Sequence, residues 1–216
     1  MTKAEKRPLV LVGGGGHARS VIDIIPEDRE IFGYIDNHQC ELQRHWGDNL
    51  PWLGTDEQYM REHKPGEHEL LFTFVAGHDC RLDRRAAMIE RFQDYDLGYV
   101  TAESAVISDY CDVGLGSMVM NNAVVNRGAF LFNNVVVNTG AIIEHDCRIG
   151  HNVFIGPGAV ICGGVEIGDN VYIGANCTVA PGIRICDDVT IGLASAVISN
   201  IDYPGTYVGA PVRRVK

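Results

Sequence analysis

Two short segments of this chain carry the residue types and spacing that chemistry needs. In Glu144-His145-Asp146 an imidazole stands next to a carboxylate. Such a ring can accept a proton from a nucleophile while the acid fixes its tautomer and stabilises the imidazolium. Near the start, Gly13-x-Gly15-x-x-Ala18 lies within a run of four glycines, and Asp36 follows further on. Glycines let a backbone approach a pyrophosphate, and a helix start offers N–H donors. A carboxylate there can accept from a ribose hydroxyl or a base N–H.

The elements around the glycines give that segment its context. Leu9–Val12 reads as a strand, Gly13 to Gly16 as a loop, and His17 to Ile25 as a helix. Ile31–Ile35 reads as a second strand ending at Asp36, and Glu69 to Ala76 as a third. A helix carrying Arg84, Arg85, Met88, Ile89 and Phe92 follows. Strands alternating with helices imply a small parallel α/β sheet. About 90 residues precede the next regime, enough for one mononucleotide half and too few for the two that cradle NAD. A nucleotide diphosphate is the better ligand, with a tight turn that binds nothing as the plain alternative.

His145 belongs to a different regime. Every sixth residue from Ile107 to Val197 is Ile, Val or Leu, and most are followed four residues later by a small or β-branched residue. Period six matches neither helix nor simple strand. It is the signature of a hexapeptide β-helix, in which each coil buries its aliphatics on those of the next. His145 follows Ile143 by two residues while Ile143 and Cys147 fill the inward slots, so the imidazole projects outward. Three hexads to a coil place Gly163 beside His145, and Gly164 beside Asp146, at roughly 4.8 Å. Gly156, Gly174 and Gly192 recur at the coil spacing, flanked by a column of Pro157, Ala175 and Leu193. A column without side chains reads as a groove for an extended apolar arm, unless glycine merely suits the corners. A surface histidine of no consequence is the plain alternative for His145.

Composition bounds the remaining choices. The 216 residues are 46% hydrophobic and 21% charged, as in a globular chain. A formal net charge of -10 argues against nucleic acid or an anionic membrane surface as partner. No apolar run is long enough for membrane insertion, and Leu9–Val12 is too short for a signal-peptide core. The seven cysteines form no CxxC pair or metal-type cluster, and Cys111, Cys147 and Cys177 take small-residue slots of the repeat. They read as reduced structural thiols, which fits a cytoplasmic location. The expected layout is an α/β nucleotide-binding domain over residues 1–100 and a β-helix domain with a C-terminal tail over 101–216.

Taken together, these segments resemble the bacterial nucleotide-sugar acetyltransferases with a left-handed β-helix. That group includes the UDP-4-amino-sugar N-acetyltransferases, GDP-perosamine N-acetyltransferase and the sialic acid O-acetyltransferases. The likeness is carried by residues 11–18, Ile35-Asp36-Asn37, the strand ending at Gly77, the hexads, Glu144–Cys147 and Val208-Gly-Ala-Pro211. It implies a Rossmann-like half domain followed by a left-handed parallel β-helix, assembled as a homotrimer with acetyl-CoA between neighbouring prisms. It further implies that Gly15, Gly16 and His17 form a substrate loop, that Asp36 and Asn37 hold the base, and that Gly77, the glycine after the third strand, belongs to the substrate site. Phe154, Ala175 and Leu193 match positions that touch the coenzyme in relatives. The chain departs from the pattern in having Phe154 where some relatives have a second histidine. It also has Asp146 where others have Glu, and Asn37 beside Asp36 in place of a second acid.

The expected reaction is direct acetyl transfer to the amine of a nucleotide-linked 4-amino-4,6-dideoxy sugar. His145 acts as base, Asp146 holds its tautomer, and the Gly163 N–H donates to the developing oxyanion. Gly174 and Gly192 belong to the coenzyme groove, and no metal is called for. O-acetylation of a sialic-acid-type sugar is the alternative within the class, and a noncatalytic hexapeptide binding protein the alternative outside it. A carbonic-anhydrase-type metal site ranks low, since His145 and His151 are the only histidines in the repeat.

Overall fold

The computed structural model describes residues 7–75 and 82–216. Its first half is a parallel four-stranded sheet in the order β2-β1-β5-β6. The strands are β1 (Leu9–Val12), β2 (Ile31–Ile35), β5 (Glu69–Phe72) and β6 (Asp96–Leu97). Every residue of β1 is buried, as a strand covered on both faces requires. The connections hold α1 (Gly16–Ile22), α2 (Asp56–Glu62), α3 (Asp83–Arg91) and an antiparallel hairpin of β3 (Gln43–His45) and β4 (Asp48–Asn49). α2 starts at a capping box: Thr55 accepts from the Gln58 N–H while the Gln58 side chain accepts from the Thr55 N–H.

Strands β1 and β2 and the helix over Asp83–Arg91 fall where the sequence places them. α1 stops at Ile22 rather than Ile25, because Ile25 precedes Pro26 and the α conformation is disfavoured there. The third strand ends at Phe72, short of the expected Ala76. There Thr73 donates its hydroxyl to the carbonyls of Val12 (3.1 Å) and Gly13 (2.7 Å), tying the strand end to the glycine loop. α2, the hairpin and β6 are absent from the sequence reading.

From Val106 onward the chain is a left-handed parallel β-helix. Each aliphatic of the six-residue series ends a short strand. The strands stack into three faces of eight, six and five strands, the first of which begins with Val100–Thr101 and ends in the C-terminal tail. Ile143 lies in register between Val125 and Ile161, and the same aliphatics form one continuous core. The corners obey the period too. Positive φ recurs every sixth residue from Gly116 to Ala194, and Gly, Asn or Asp fills every such corner except the last. These are the residues that tolerate left-handed backbone.

The two halves share a core in which Ala18, Val21 and Ile22 of α1 pack with Met118, Val136 and Phe154 of the first face. Arg85 of α3, 1% exposed, reaches across the junction. It donates to the Asn134 carbonyl at 2.9 Å, to Asn152 Oδ1, and to the Phe74 carbonyl at 3.2 Å. Asn152 continues a ladder up the corner, donating to Asn170 Oδ1 at 2.9 Å.

Candidate active site

His145 and Asp146 occupy the corner between the strands Ile142–Ile143 and Arg148–Ile149. Asp146 is a left-handed corner residue with φ 60°. That conformation favours Asp over the longer Glu at this position. The shorter side chain still reaches, with Asp146 Oδ2 2.9 Å from His145 Nδ1. Nδ1 is thereby the natural donor, which leaves Nε2 to accept. The imidazole side chain is 65% exposed and the carboxylate 74%. A dry site at this dyad therefore has to be completed by something laid over it.

Two glycines flank the pair. A Cβ built on Gly163 would stand 2.5 Å from His145 Nε2, and one on Gly128 would stand 2.4 Å from Asp146 Oδ1. The imidazole thus leans onto the following coil, as its spacing predicts, while the carboxylate leans onto the preceding one. Asp146 does not face Gly164, where nothing lies within 4 Å of a built Cβ. Gly164 instead donates its N–H to the His145 carbonyl at 2.9 Å. The Gly163 N–H makes no hydrogen bond among the described residues.

The glycine column has a different origin from the one the spacing alone implies. A Cβ on Gly156 would lie 2.7 Å from the Ala175 nitrogen, and one on Gly174 would lie 2.8 Å from the Leu193 nitrogen. These glycines point along the axis into the next coil, so close stacking demands them. Gly192 points at the Val208 side chain in the tail. The open surface belongs to the neighbouring column, where Ala175 is half-buried and Leu193 is 68% exposed. Phe154, expected at a coenzyme, is 7% exposed and stacks on Tyr172 with ring centroids 4.9 Å apart. It packs into the junction core and offers little surface in this chain. His151 is tied locally, its Nδ1 accepting the Asn133 N–H at 3.3 Å.

In the α/β half the four glycines divide into two pairs. A Cβ on Gly13 (φ +110°) would meet Phe74 at 2.9 Å, and one on Gly14 would meet Cys40 Sγ at 3.0 Å. Gly15 and Gly16 have nothing within 4 Å and are exposed. The first pair shapes the loop and the second leaves room for a ligand. Asp36 is committed to that loop: Oδ2 accepts the Gly14 N–H at 2.7 Å and Oδ1 the His38 N–H at 3.3 Å. Beside it a cleft of about 250 Å³ is lined by Asp36, Asn37, Asp56, Phe74 and Arg84 among others. The guanidinium of Arg84 makes no ion pair or hydrogen bond among the described residues. His17 is largely buried, and its Nε2 has no partner there. Burial, with the Arg85 charge second, holds its pKa down to about 4, so the ring is neutral. Gly77 lies outside the described residues.

Sequence reasoning missed Arg85 as a buried residue. Its signal is present, since Arg85 shares the apolar face of Met88 and Phe92 at helical spacing. Among the described residues every cysteine is free, and buried Cys147 and Cys177 donate to the carbonyls of Cys162 (3.1 Å) and Gly192 (2.9 Å).

Comparison with known families places this geometry. Residues 8–76 match the PglD N-terminal domain, and residues 128–163 and 164–192 match the bacterial transferase hexapeptide (six repeats). The chain is an acyltransferase built on a left-handed β-helix of hexapeptide repeats. Among solved structures it is similar to the acetyltransferase domain of PglB from Neisseria gonorrhoeae, with a TM-score of 0.83 and 24% identity over 97% of this chain and 100% of that one. PerB from Caulobacter crescentus, solved in complex with CoA and GDP-perosamine, gives a TM-score of 0.82 and 25% identity over 97% of each chain. WeeI from Acinetobacter baumannii has the same fold, with a TM-score of 0.75 and 18% identity over 97% of this chain and 100% of that one. No curated protein gives a significant sequence match. No described helix of this acyltransferase is long and apolar enough to cross a membrane.

Proposed function

We propose that this acyltransferase is an acetyl-CoA-dependent N-acetyltransferase acting on the amino group of a nucleotide-linked 4-amino-4,6-dideoxy sugar. The observation that carries this reading is the His145–Asp146 pair at 2.9 Å, with Nε2 leaning onto Gly163, whose N–H is unbonded among the described residues. The likeness to PerB, solved with CoA and GDP-perosamine, supports the substrate class.

In the proposed step the sugar amine attacks the thioester carbonyl carbon. The C–N bond forms, the C–S bond breaks, and His145 Nε2 takes the amine proton and passes it to the departing thiolate. Asp146 holds the proton on Nδ1 and stabilises the imidazolium. The Gly163 N–H donates to the oxyanion.

Residues 1–100 hold the nucleotide sugar and residues 101–216 the acetyl group. Gly15, Gly16 and His17 face the pyrophosphate, and Asp36 and Asn37 border the base cleft; Gly77, outside the described residues, is assigned to the substrate site by its place in the sequence alone. The coenzyme arm runs along Ala175 and Leu193 over the backbone of Gly174 and Gly192, with Phe154 as a packed wall beneath. The exposed dyad supports completion of the site by neighbouring copies in a homotrimer, and the free thiols support a cytoplasmic location.

The test is transfer from labelled acetyl-CoA to UDP-, GDP- and dTDP-linked 4-amino sugars. An alkali-stable amide product is expected, with kcat lowered ~10²–10⁴-fold in His145→Ala. Near-normal turnover in that variant removes His145 from the mechanism, and an alkali-labile product identifies O-acetylation instead.

A further inference from the structure

His63, Glu67 and His68 take no part in the reaction proposed above, yet the fold draws them together. They surround the Pro65-Gly66 turn that leads from α2 to β5, where Gly66 adopts φ +93°. One ligand atom from each lies within 4.8 Å of the other two. His63 Nδ1 and Glu67 Oε2 are already 3.2 Å apart. Two ligands of one tetrahedral ion stand about 3.3 Å apart when each bond is about 2.0–2.1 Å.

The buried member is His68, 7% exposed. Its ring is held between fixed partners: Phe32 stacks on it at 4.1 Å between centroids, and the Tyr59 hydroxyl lies 3.1 Å from Nδ1. A hydrogen bond to one ring nitrogen is what orients a metal-ligating histidine from its outer shell. The other ring nitrogen has no partner among the described residues. His63 is anchored through its backbone, whose carbonyl accepts from the Tyr95 hydroxyl at 2.9 Å. Glu67 is exposed and His63, half-buried and already paired with it, lies edge-on to the His68 ring at 5.2 Å between centroids, so a small side-chain rotation closes the remaining gap.

We propose that His63, Glu67 and His68 form a structural site for a single divalent transition-metal ion, with zinc the best fit and water completing the coordination. Two imidazoles and one carboxylate are a donor set that suits zinc better than the hard cations magnesium or calcium. A simple His63–Glu67 ion pair would account for two of the three residues, and the contacts of His68 with Phe32 and Tyr59 leave its second ring nitrogen unused among the described residues. Bound there, the ion would clip the end of α2 to the start of β5, away from the acetyl-transfer chemistry.

The experiment uses the full chain, stripped with a chelator and titrated with zinc chloride by calorimetry, with melting followed in parallel. One equivalent per chain and a higher melting temperature are expected. Both effects should weaken at least tenfold in zinc concentration in Glu67→Gln and in His63→Gln, two substitutions at side chains that are not fully buried. Cobalt(II) added instead should give visible absorption of a tetrahedral site, lost in the same variants. Acetyl transfer by Glu67→Gln should match the unsubstituted protein, which separates this site from the catalytic reading. Absence of zinc binding, or unchanged binding in both variants, overturns the proposal.

Discussion

His145 and Gly163 approach so closely that a side chain on the glycine would enter the imidazole: a built Cβ lies 2.5 Å from Nε2 and 2.6 Å from Cε1. Gly163 is not among the corner residues of positive φ. Its backbone therefore accepts alanine, and the cost falls on the ring. Gly163→Ala should push the imidazole aside and lower kcat by about 10²-fold, the loss typical of a base displaced by about 1 Å. Its melting temperature should stay near that of the parent chain. Gly164→Ala makes the opposite case, with open space but φ +69°. It should lose about 1–2 kcal/mol of stability from the left-handed backbone. Kinetics and melting on the two variants check both halves of the contrast.

The Asp146 corner allows the tautomer to be tested without disturbing the fold. Asparagine tolerates the φ of 60° that this corner requires. Asp146→Asn keeps the shape and removes the charge that holds the proton on Nδ1. A fall in kcat of roughly 10²–10⁴-fold is expected, with KM for the sugar nucleotide nearly unchanged. If kcat holds within a few-fold, the 2.9 Å contact is ornamental to the reaction.

The neighbourhood of these residues was only partly legible in the sequence. The core of the β-helix is readable because Ile143 and its kin recur with the coil itself, so no long-range knowledge is needed. That His145 leans onto Gly163 follows from the same period. The direction of Asp146 does not, since whether its carboxylate meets Gly128 or Gly164 depends on a side-chain rotamer at a left-handed corner. The column of Gly156, Gly174 and Gly192 is visible as spacing, but its cause is the distance between coils. Arg85 is harder still: its acceptors at Asn134 and Asn152 are far along the chain, and only the docking of α3 on the corner makes its burial necessary. His63, Glu67 and His68 converge because a proline–glycine turn folds back on β5, a geometry that the residue types alone do not fix.

Arg85 should be the principal polar bolt between the two halves. Replacing it by methionine leaves the carbonyls of Asn134 and Phe74 and the Asn152 side-chain oxygen without its donors. Each lost partner costs about 1–3 kcal/mol, offset in part because a buried charge is no longer desolvated. A net loss of about 2–4 kcal/mol is expected for Arg85→Met, read as a lower urea midpoint. Because Arg85 also holds the carbonyl of Phe74, the residue against which Gly13 of the glycine loop packs, KM for the sugar nucleotide should rise more than kcat falls.

His17 makes stability depend on pH in a direction that follows from its surroundings. Burial, aided by the Arg85 charge, lowers its pKa from 6.5 to about 4 in the folded chain. Between those values the unfolded chain binds a proton that the folded one refuses, so unfolding becomes easier as pH falls. The full stability is present above about pH 6.5, declines as the pH drops toward 4, and levels off below that. The depressed pKa corresponds to about 3 kcal/mol across the window. Carboxylates titrate in the lower part of the same range, so the measurement is a difference. Melting from pH 7.5 down to about 4.5 should show the parent chain losing more stability than His17→Asn, whose side chain takes up no proton. Parallel curves for the two proteins would mean that the folded site admits the proton after all.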